Sequence, residues 1–363
     1  MKIIVSGGGT GGHIYPALAV IEEIKKRDPQ GEILYIGTKK GLEADIVPKA
    51  GIPFTTIDVM GLQRKLSLRS MKSLLVLLKG LRQSKKIIRQ FKPDLVIGTG
   101  GFVSFPIVYK AAKYGIPTLI HEQNSVAGIS NRILGKSVQK IAITFPESER
   151  FFVNKERIIQ TGNPIRKDFF EKKQIQKEAY QIEDGRKVVL VFGGSNGHGE
   201  LNEAMRSVIE HYSDTDVEII LGVGKRFYDA YMKSLGGVAK NIHIYPYLYD
   251  IISVYQMADL IVTSAGAITL AEVAACELPA ILIPKAYTTE NHQEYNARSV
   301  EKQKAAKVIT EAELSGENLL KTIDELIHND HKLEEMSQAA KKLAAPDAAV
   351  DIADAAFSLL KKD

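Results

Sequence analysis

The sequence of 363 residues contains no tryptophan and a single cysteine, Cys276. A lone thiol forms no internal disulfide, so the pattern points to a reducing compartment rather than a disulfide-stapled secreted domain. No stretch approaches the ~20 apolar residues of a membrane span. The opening apolar run, Lys2–Val5, passes straight into glycines and does not have the shape of a signal peptide. Short-period repeats and low-complexity segments are absent as well. Hydrophobic residues make up 45% and charged residues 25%, the balance of an ordinary globular chain, which excludes disorder and collagen-like repeats. At roughly 100–200 residues per domain, the length predicts two domains.

Acidic residues are scarce in one half only. Residues 1–163 hold 25 Lys/Arg against 12 Asp/Glu, a net of +13, whereas residues 164–363 hold 23 against 31, a net of −8. The overall +5 conceals that split. A basic half is expected to meet something anionic: nucleic acid, an acidic membrane surface or a phosphorylated substrate.

Two segments read alike. Lys2–Val5 leads into Ser6-Gly7-Gly8-Gly9-Thr10-Gly11-Gly12-His13, and Lys187–Phe192 leads into Gly193-Gly194-Ser195-Asn196-Gly197. Each is an apolar run, then glycines, then a helical pattern. Such runs fit parallel strands buried on both faces. Further strands are expected at Ile33–Ile36, Leu95–Ile97, Thr118–Ile120, Lys140–Ile143, Val217–Leu221, Leu260–Val262 and Ala280–Ile283. Helices are expected at Ala17–Lys26, Ser70–Gln90, Glu200–His211, Gly266–Ala275 and Asn291–Lys302. The alternation predicts an α/β chain of two doubly wound parallel sheets. The boundary is expected near Gly162-Asn163-Pro164, giving domains 1–163 and 164–345, and Pro346–Lys362 reads as a last helix.

The first loop matches G-x-G-x-x-G at Gly7, Gly9 and Gly12, a weak dinucleotide signal by itself. Its second strand ends in Gly37-Thr38-Lys39-Lys40, with Glu32 at the wrong end to hold a ribose, which disfavours NAD and leaves NADP open. His13 opens the following helix. A neutral histidine there suits a general base, and equally a capping or core role. The second loop lacks the Lys-Ser/Thr of a Walker motif but can bind an anion. A third turn, Ser264-Ala265-Gly266-Ala267, opens a helix carrying Glu272, which can accept ribose hydroxyls or merely solvate the helix. His121–Ser125 and Asn291-His292-Gln293 follow strands and suit a hydroxyl-rich ligand. All these loops fall at carboxyl strand ends, where open α/β sheets bind ligands. Asp214-Thr215-Asp216, which superficially resembles a metal-binding pair, precedes its strand and reads as a solvated connection. No Cys/His metal cluster is evident, so no metal is expected.

Between Arg64 and Lys92 there are ten Lys/Arg and no acid, with leucines at helical spacing. A basic amphipathic helix can pack on a sheet or lie on an anionic membrane, each cation there contributing about 1 kcal/mol. The Ile87, Ile88 and Phe91 end is expected to pack inward. The membrane candidates are Arg64, Lys65, Leu66, Leu68, Arg69, Lys72, Leu74, Leu75, Leu78 and Lys79.

Taken together in order, Gly7–His13, Gly98–Phe102, His121–Asn124, Gly162–Arg166, Gly193–Ser195, Gly266–Glu272 and Asn291–Gln293 resemble the MurG family of bacterial cell-wall N-acetylglucosaminyltransferases over nearly the whole chain. The resemblance implies a GT-B fold, two Rossmann-like domains facing across a cleft, with the last helix returning to the first domain. It implies transfer of N-acetylglucosamine from UDP-N-acetylglucosamine to lipid I, giving lipid II, with neither metal nor cofactor and with inversion. The donor would bind the C-terminal domain. Lipid I would bind the basic domain, peripherally at the cytoplasmic face of the membrane, within a possible cell-wall synthesis complex.

By the family pattern, Arg166 and Ser195 serve the diphosphate. The run Ala267, Ile268, Thr269, Leu270, Ala271 and Glu272 lines the donor site, with Glu272 on the ribose. Leu248 offers backbone to the uracil and Gln293 meets the sugar. Thr10, Gly11, Gly12 and Asn124 complete the donor site, and His13 is the base. Departures from the pattern are Ser264 for an arginine, Asn196 for a glutamine, His198 for an alanine, Phe102 for a tyrosine and Phe105 for a glycine. The loops exclude nucleic acid as the anionic partner. Rival expectations are a diacylglycerol glycosyltransferase, a UDP-N-acetylglucosamine 2-epimerase for which Glu122 is the one evident carboxylate, an NADP oxidoreductase, and a non-catalytic lipid-binding protein.

Overall fold

The computed structural model describes every residue except 62–67, 173, 174, 176, 184, 195, 196 and 361–363. The chain divides into two compact units, Met1–Arg166 with Ala345–Asp363, and Lys167–Ala344.

The first unit begins with β1 (Lys2–Ser6), α1 (Gly11–Arg27), β2 (Glu32–Gly37), α2 (Glu43–Lys49), β3 (Phe54–Thr56), α3 (Leu68–Phe91) and β4 (Leu95–Gly98). It continues with α4 (Gly101–Lys113), β5 (Thr118–Glu122), α5 (Ile129–Leu134), β6 (Lys140–Ile143) and β7 (Ile158–Gln160). The seven strands are ordered β3-β2-β1-β4-β5-β6-β7 and all pair in parallel.

Successive residues of β1 serve opposite faces, because side chains alternate along a strand. Ile3 and Val5 meet Ile14, Ala17, Val20 and Ile24 of α1. Ile4 faces the other way, into a core built with Ile88 of α3, Ile107 and Val108 of α4, and Leu134 of α5. Both faces are thus covered by helices, which explains the unbroken apolar runs of the central strands. Ile88 is buried, and Ile87 and Phe91 pack partly into the same core, so this end of α3 turns inward as its apolar spacing predicts.

The second unit runs β8 (Lys187–Phe192), α6 (Gly199–Tyr212), β9 (Val217–Gly222), α7 (Tyr228–Leu235), β10 (Ile242–Tyr245), α8 (Ile251–Met257), β11 (Leu260–Thr263) and α9 (Ala267–Ala275). Then come β12 (Ala280–Leu282), α10 (His292–Lys302), β13 (Ala306–Val308), α11 (Gly316–Ile327) and α12 (Asp330–Leu343). Its sheet is ordered β10-β9-β8-β11-β12-β13, again wholly parallel. Leu201, Met205 and Val208 of α6 and Leu319, Ile323 and Leu326 of α11 bury against Val189, Val191, Ile219 and Leu221. Two parallel-sheet Rossmann-like units are the α/β architecture that the repeated loop pattern predicts.

The chain then returns to the first unit as α13 (Ala348–Ser358). Ile352, Ala353 and Ala356 join the α1 core, and Arg27 pairs with Asp354. Several shorter elements were not among those expected from the sequence. The edge strands β3, β7, β10 and β13 have three or four residues each, too few for a clear period. Helix α4 carries Gly101, Phe102, Val103, Phe105 and Pro106, a composition that favours strand or turn.

Candidate active site

In each sheet the strand order reverses beside the first strand, between β1 and β4 and between β8 and β11. The loops leaving two such strands diverge to opposite faces and open a crevice at their carboxyl ends. The glycine loops after β1 and β8 both emerge there.

In the first unit, Gly7–Thr10 is held from below by a residue that sequence reasoning missed. Glu43, the first residue of α2, is fully buried. One of its oxygens, Oε1, accepts from the Thr38 amide (3.0 Å) and hydroxyl (2.7 Å), and Oε2 accepts from the Gly9 amide (3.1 Å). Tyr35 donates its hydroxyl to the Gly7 carbonyl (2.9 Å). Thr10 caps α1 in extended conformation, and Gly11, Gly12 and His13 form the first turn.

His13 is fixed from the β4 end. The Thr99 amide bonds Ser6 O (2.8 Å), and the Thr99 hydroxyl donates to His13 O (2.7 Å). Nδ1 of His13 lies 3.1 Å from Thr99 O and 3.1 Å from Gln123 Oε1. Gly100, at φ 101°, lets the backbone pass this ring: a Cβ there would stand 2.7 Å from Nδ1. Gln123 in turn donates its amide nitrogen to Thr99 O (2.6 Å) and His121 Nδ1 (3.0 Å). His121 is wholly buried, with Nε2 3.1 Å from Gly162 O. Burial pushes the His121 imidazole down to about 4, the Gly162 contact opposing and the charge of His13 adding to the shift.

Glu122 is buried and its carboxylate is occupied by structure. Oε1 accepts from the Asn124 amide (3.0 Å) and side chain (3.4 Å), and Oε2 from the Gly128 amide and Asn131 side chain (2.9 Å each). A carboxylate holding four donors orders the loop that presents Asn124 and is poorly suited to exchange protons.

In the second unit, Gly194 takes φ 78° and a Cβ on it would stand 3.3 Å from Ser264 Oγ, so the β8 and β11 turns meet closely. Ser195, expected on the diphosphate, lies outside the described residues. Ala267–Glu272 form the first two turns of α9, with Ala267 and Leu270 buried and Ile268, Thr269, Ala271 and Glu272 partly exposed. Tyr255, buried on α8, donates its hydroxyl to Glu272 Oε2 (3.2 Å). Gln293 Oε1 accepts the Lys285 amide (3.0 Å), at a turn strained by left-handed Glu290 and Asn291 (φ 56° and 54°). Leu248 is half-buried with its side chain beside Gly222, and Arg166 is exposed at the end of the first unit.

Lys285, in the loop that leads to Asn291–Gln293, was also missed by sequence reasoning. It donates Nζ to Gly197 O (2.8 Å), bracing the second glycine loop, and burial pushes its ammonium down. Beside it, His198, Glu200 and Glu311 are the one potential metal-ligand grouping among the described residues, their ligand atoms lying within 4.8 Å of one another. His198 Nε2 already bonds Glu311 Oε1 (2.7 Å). Burial lowers the His198 pKa, the hydrogen bond to Glu311 opposes that shift and the Lys285 charge adds to it. His198 and Glu311 read as an internal pair.

The basic segment is only partly described. Arg64, Lys65 and Leu66 lie outside the described residues, and Leu68, Arg69 and Lys72 are placed on α3 by backbone alone. Leu74, Leu75 and Leu78 are exposed at 54%, 68% and 45%, a contiguous apolar strip at helical spacing. Lys79, exposed on the same helix, pairs with Asp58 (2.7 Å) and, with Gln83, holds that carboxyl below its usual range. Among the described residues no helix is long and apolar enough to cross a membrane.

Comparison with known proteins agrees with the fold. Residues 3–143 match the glycosyltransferase family 28 N-terminal domain and residues 188–352 the corresponding C-terminal domain. A Finegoldia magna protein, UDP-N-acetylglucosamine–N-acetylmuramyl-(pentapeptide) pyrophosphoryl-undecaprenol N-acetylglucosamine transferase, is 52% identical over 100% of this chain and 99% of its own length. A Listeria monocytogenes protein of the same name is 46% identical over 99% and 100%. Among solved structures, MurG of Acinetobacter baumannii is similar with TM-score 0.80 and 28% identity, covering 98% of this chain and 99% of that one. A UDP-N-acetylglucosamine 2-epimerase of Listeria monocytogenes (TM-score 0.71, 17% identity, coverage 97% and 94%) shares the fold.

Proposed function

This chain belongs to glycosyltransferase family 28, and we infer from that membership that it is an inverting N-acetylglucosaminyltransferase. It moves N-acetylglucosamine from UDP-N-acetylglucosamine to the C4 hydroxyl of N-acetylmuramic acid in lipid I, forming lipid II for peptidoglycan. The observation that carries this reading is the 52% identity to a transferase of that name over the whole chain.

In the reaction, the acceptor C4 oxygen attacks C1 of the donor sugar from the side opposite the diphosphate. The C4 proton passes to a base, the C1–O bond to the β-phosphate breaks, and its electron pair leaves with UDP. We assign the base to His13, whose ring is clamped by Thr99 and Gln123 at the mouth of the first crevice. The leaving diphosphate is stabilised by the amides of the Gly193–Gly197 loop and the start of α9, with Ser195 and Arg166 contributing donors. Glu272 binds the ribose, oriented by the Tyr255 hydroxyl. Gln293, whose Oε1 is anchored on the Lys285 amide, turns its nitrogen to the sugar. Leu248 presents backbone to the uracil, and Thr10, Gly11, Gly12 and Asn124 complete the donor contacts. The protein binds the cytoplasmic membrane face peripherally, through Leu74, Leu75 and Leu78 and the cations preceding them.

The epimerase reading requires a cleft carboxylate free to move protons, and Glu122 is occupied by four donors. Transfer of labelled N-acetylglucosamine from UDP to a lipid I analogue, in the presence of EDTA, tests the reading, and product is expected. No product with lipid I but product with diacylglycerol overturns the acceptor. His13→Ala is expected to lower kcat by roughly 10²–10⁴. An unchanged kcat removes its role as base.

A further inference from the structure

Which nitrogen of His13 can take a proton is decided by groups that the acceptor never touches. His121 Nε2 faces the Gly162 carbonyl at 3.1 Å and the Thr144 hydroxyl at 3.3 Å; the nearer carbonyl can only accept and the hydroxyl can accept as well, so Nε2 carries the hydrogen. In the neutral ring, which burial enforces, Nδ1 then holds the lone pair. It receives the Gln123 amide nitrogen at 3.0 Å. The same nitrogen donates to Thr99 O at 2.6 Å. With both amide hydrogens so used, Gln123 turns its oxygen towards His13 Nδ1 at 3.1 Å. Rotating the amide by a half turn would set its oxygen against the Thr99 carbonyl and the His121 lone pair, losing two hydrogen bonds in a buried place. His13 Nδ1 therefore faces two acceptors, Gln123 Oε1 and Thr99 O, and must bear the hydrogen.

We propose that His121 and Gln123 are positioning residues: the run Gly162 O, His121, Gln123 holds His13 as its Nδ1–H tautomer, so that Nε2 is the basic nitrogen. The tautomers follow from the hydrogen bonds and from the burial of His121. Their consequence for catalysis rests on the functional reading above. The run also ties the base to the β7 end of the sheet, since Gly162 is the second residue after β7. Gln123 is 1% exposed and His121 is fully buried, so neither is placed to touch a substrate.

The test is a long-range proton–nitrogen NMR correlation on protein labelled with ¹⁵N-histidine at pH 7.5. The chain has eight histidines, and His13→Gln and His121→Gln variants assign the two that matter. The expected pattern is a protonated Nδ1 with an unprotonated Nε2 in His13, and the reverse in His121. Gln123→Glu removes the donor to His121 and offers an acceptor instead, so His121 is expected to gain a hydrogen on Nδ1. Gln123→Met leaves the His121 pattern unchanged, because Gly162 still holds it. It is expected to lower kcat by roughly tenfold to a hundredfold with the KM for UDP-N-acetylglucosamine unaltered, as for a misplaced base. A hydrogen on Nε2 of wild-type His13, or a His121 pattern indifferent to Gln123→Glu, overturns the proposal. The expected tautomers in a protein that fails to use lipid I support the positioning run and count against the functional reading alone.

Discussion

Glu43 is the support on which the first glycine loop rests, and its replacement by glutamine isolates that role. The side chain keeps its size, but one oxygen becomes a donor. If that nitrogen replaces Oε2, it faces the Gly9 amide, and if it replaces Oε1, it faces both the Thr38 amide and hydroxyl. Either way at least one charge-assisted hydrogen bond is lost, at about 1.5–3 kcal/mol, and the surviving ones weaken to the neutral range. No water relieves the mismatch, because Glu43 has no exposed surface. The expected cost is about 3 kcal/mol. For a unit of roughly this size, 1 kcal/mol moves Tm by about 2–4 °C, so a fall of about 6–12 °C is expected in calorimetry. Hydrogen exchange at the Gly9 amide is expected to accelerate, and kcat/KM to fall with it, since Thr10–His13 follow directly. A variant that melts like the wild type with Gly9 still protected refutes the assignment of Glu43 as the loop's anchor.

Other outcomes follow from the same contacts. His121 titrates near 4 in the fold against about 6.5 in the unfolded chain, so the folded state favours the neutral ring. That contribution is complete above pH 6.5 and is lost as pH falls towards 4, up to about 3 kcal/mol. The difference between wild-type and His121→Gln denaturation curves across pH 7.5–4 is expected to show this slope, and parallel curves would contradict it. Glu272→Ala is expected to raise the KM for UDP-N-acetylglucosamine more than that for the acceptor, and steady-state kinetics with the reverse order would remove it from the ribose. Neutralising Arg64, Lys65, Arg69 and Lys72 together is expected to weaken binding to anionic vesicles and to flatten its salt dependence. Equal sedimentation with vesicles at all salt concentrations would leave the membrane role unsupported.

The repeated pattern of apolar run, glycine loop and helix is legible in the sequence. Runs such as Lys187–Phe192 need burial on both faces, and only a parallel sheet covered by helices provides it. The loops that bear chemistry were legible for the same reason, since their glycines and their place after strands are written in the order of residues. The basic stretch before Lys92 was equally plain, and its inward turn at Ile88 followed from spacing. Glu43 and Lys285 were not legible as site residues, and Thr99 and Gln123, although inside loops that the sequence marks, were not legible as supports of His13. Each acts through a partner distant in sequence: Glu43 is 34 residues from Gly9, and Lys285 is 88 from Gly197. Nothing local distinguishes a buried glutamate at the start of a helix from a solvated one.

Glu122 shows the limit most clearly. As a residue it was a candidate acid or base, and only its four donors turn it into scaffolding. Local order thus determined which segments become strands and where glycine must stand, because those depend on neighbours along the chain. The tertiary structure decided protonation, because which atoms a ring or carboxylate faces depends on neighbours across the sheet. The basic nitrogen of His13 is set by a carbonyl near residue 162, and no pattern along the chain carries that information.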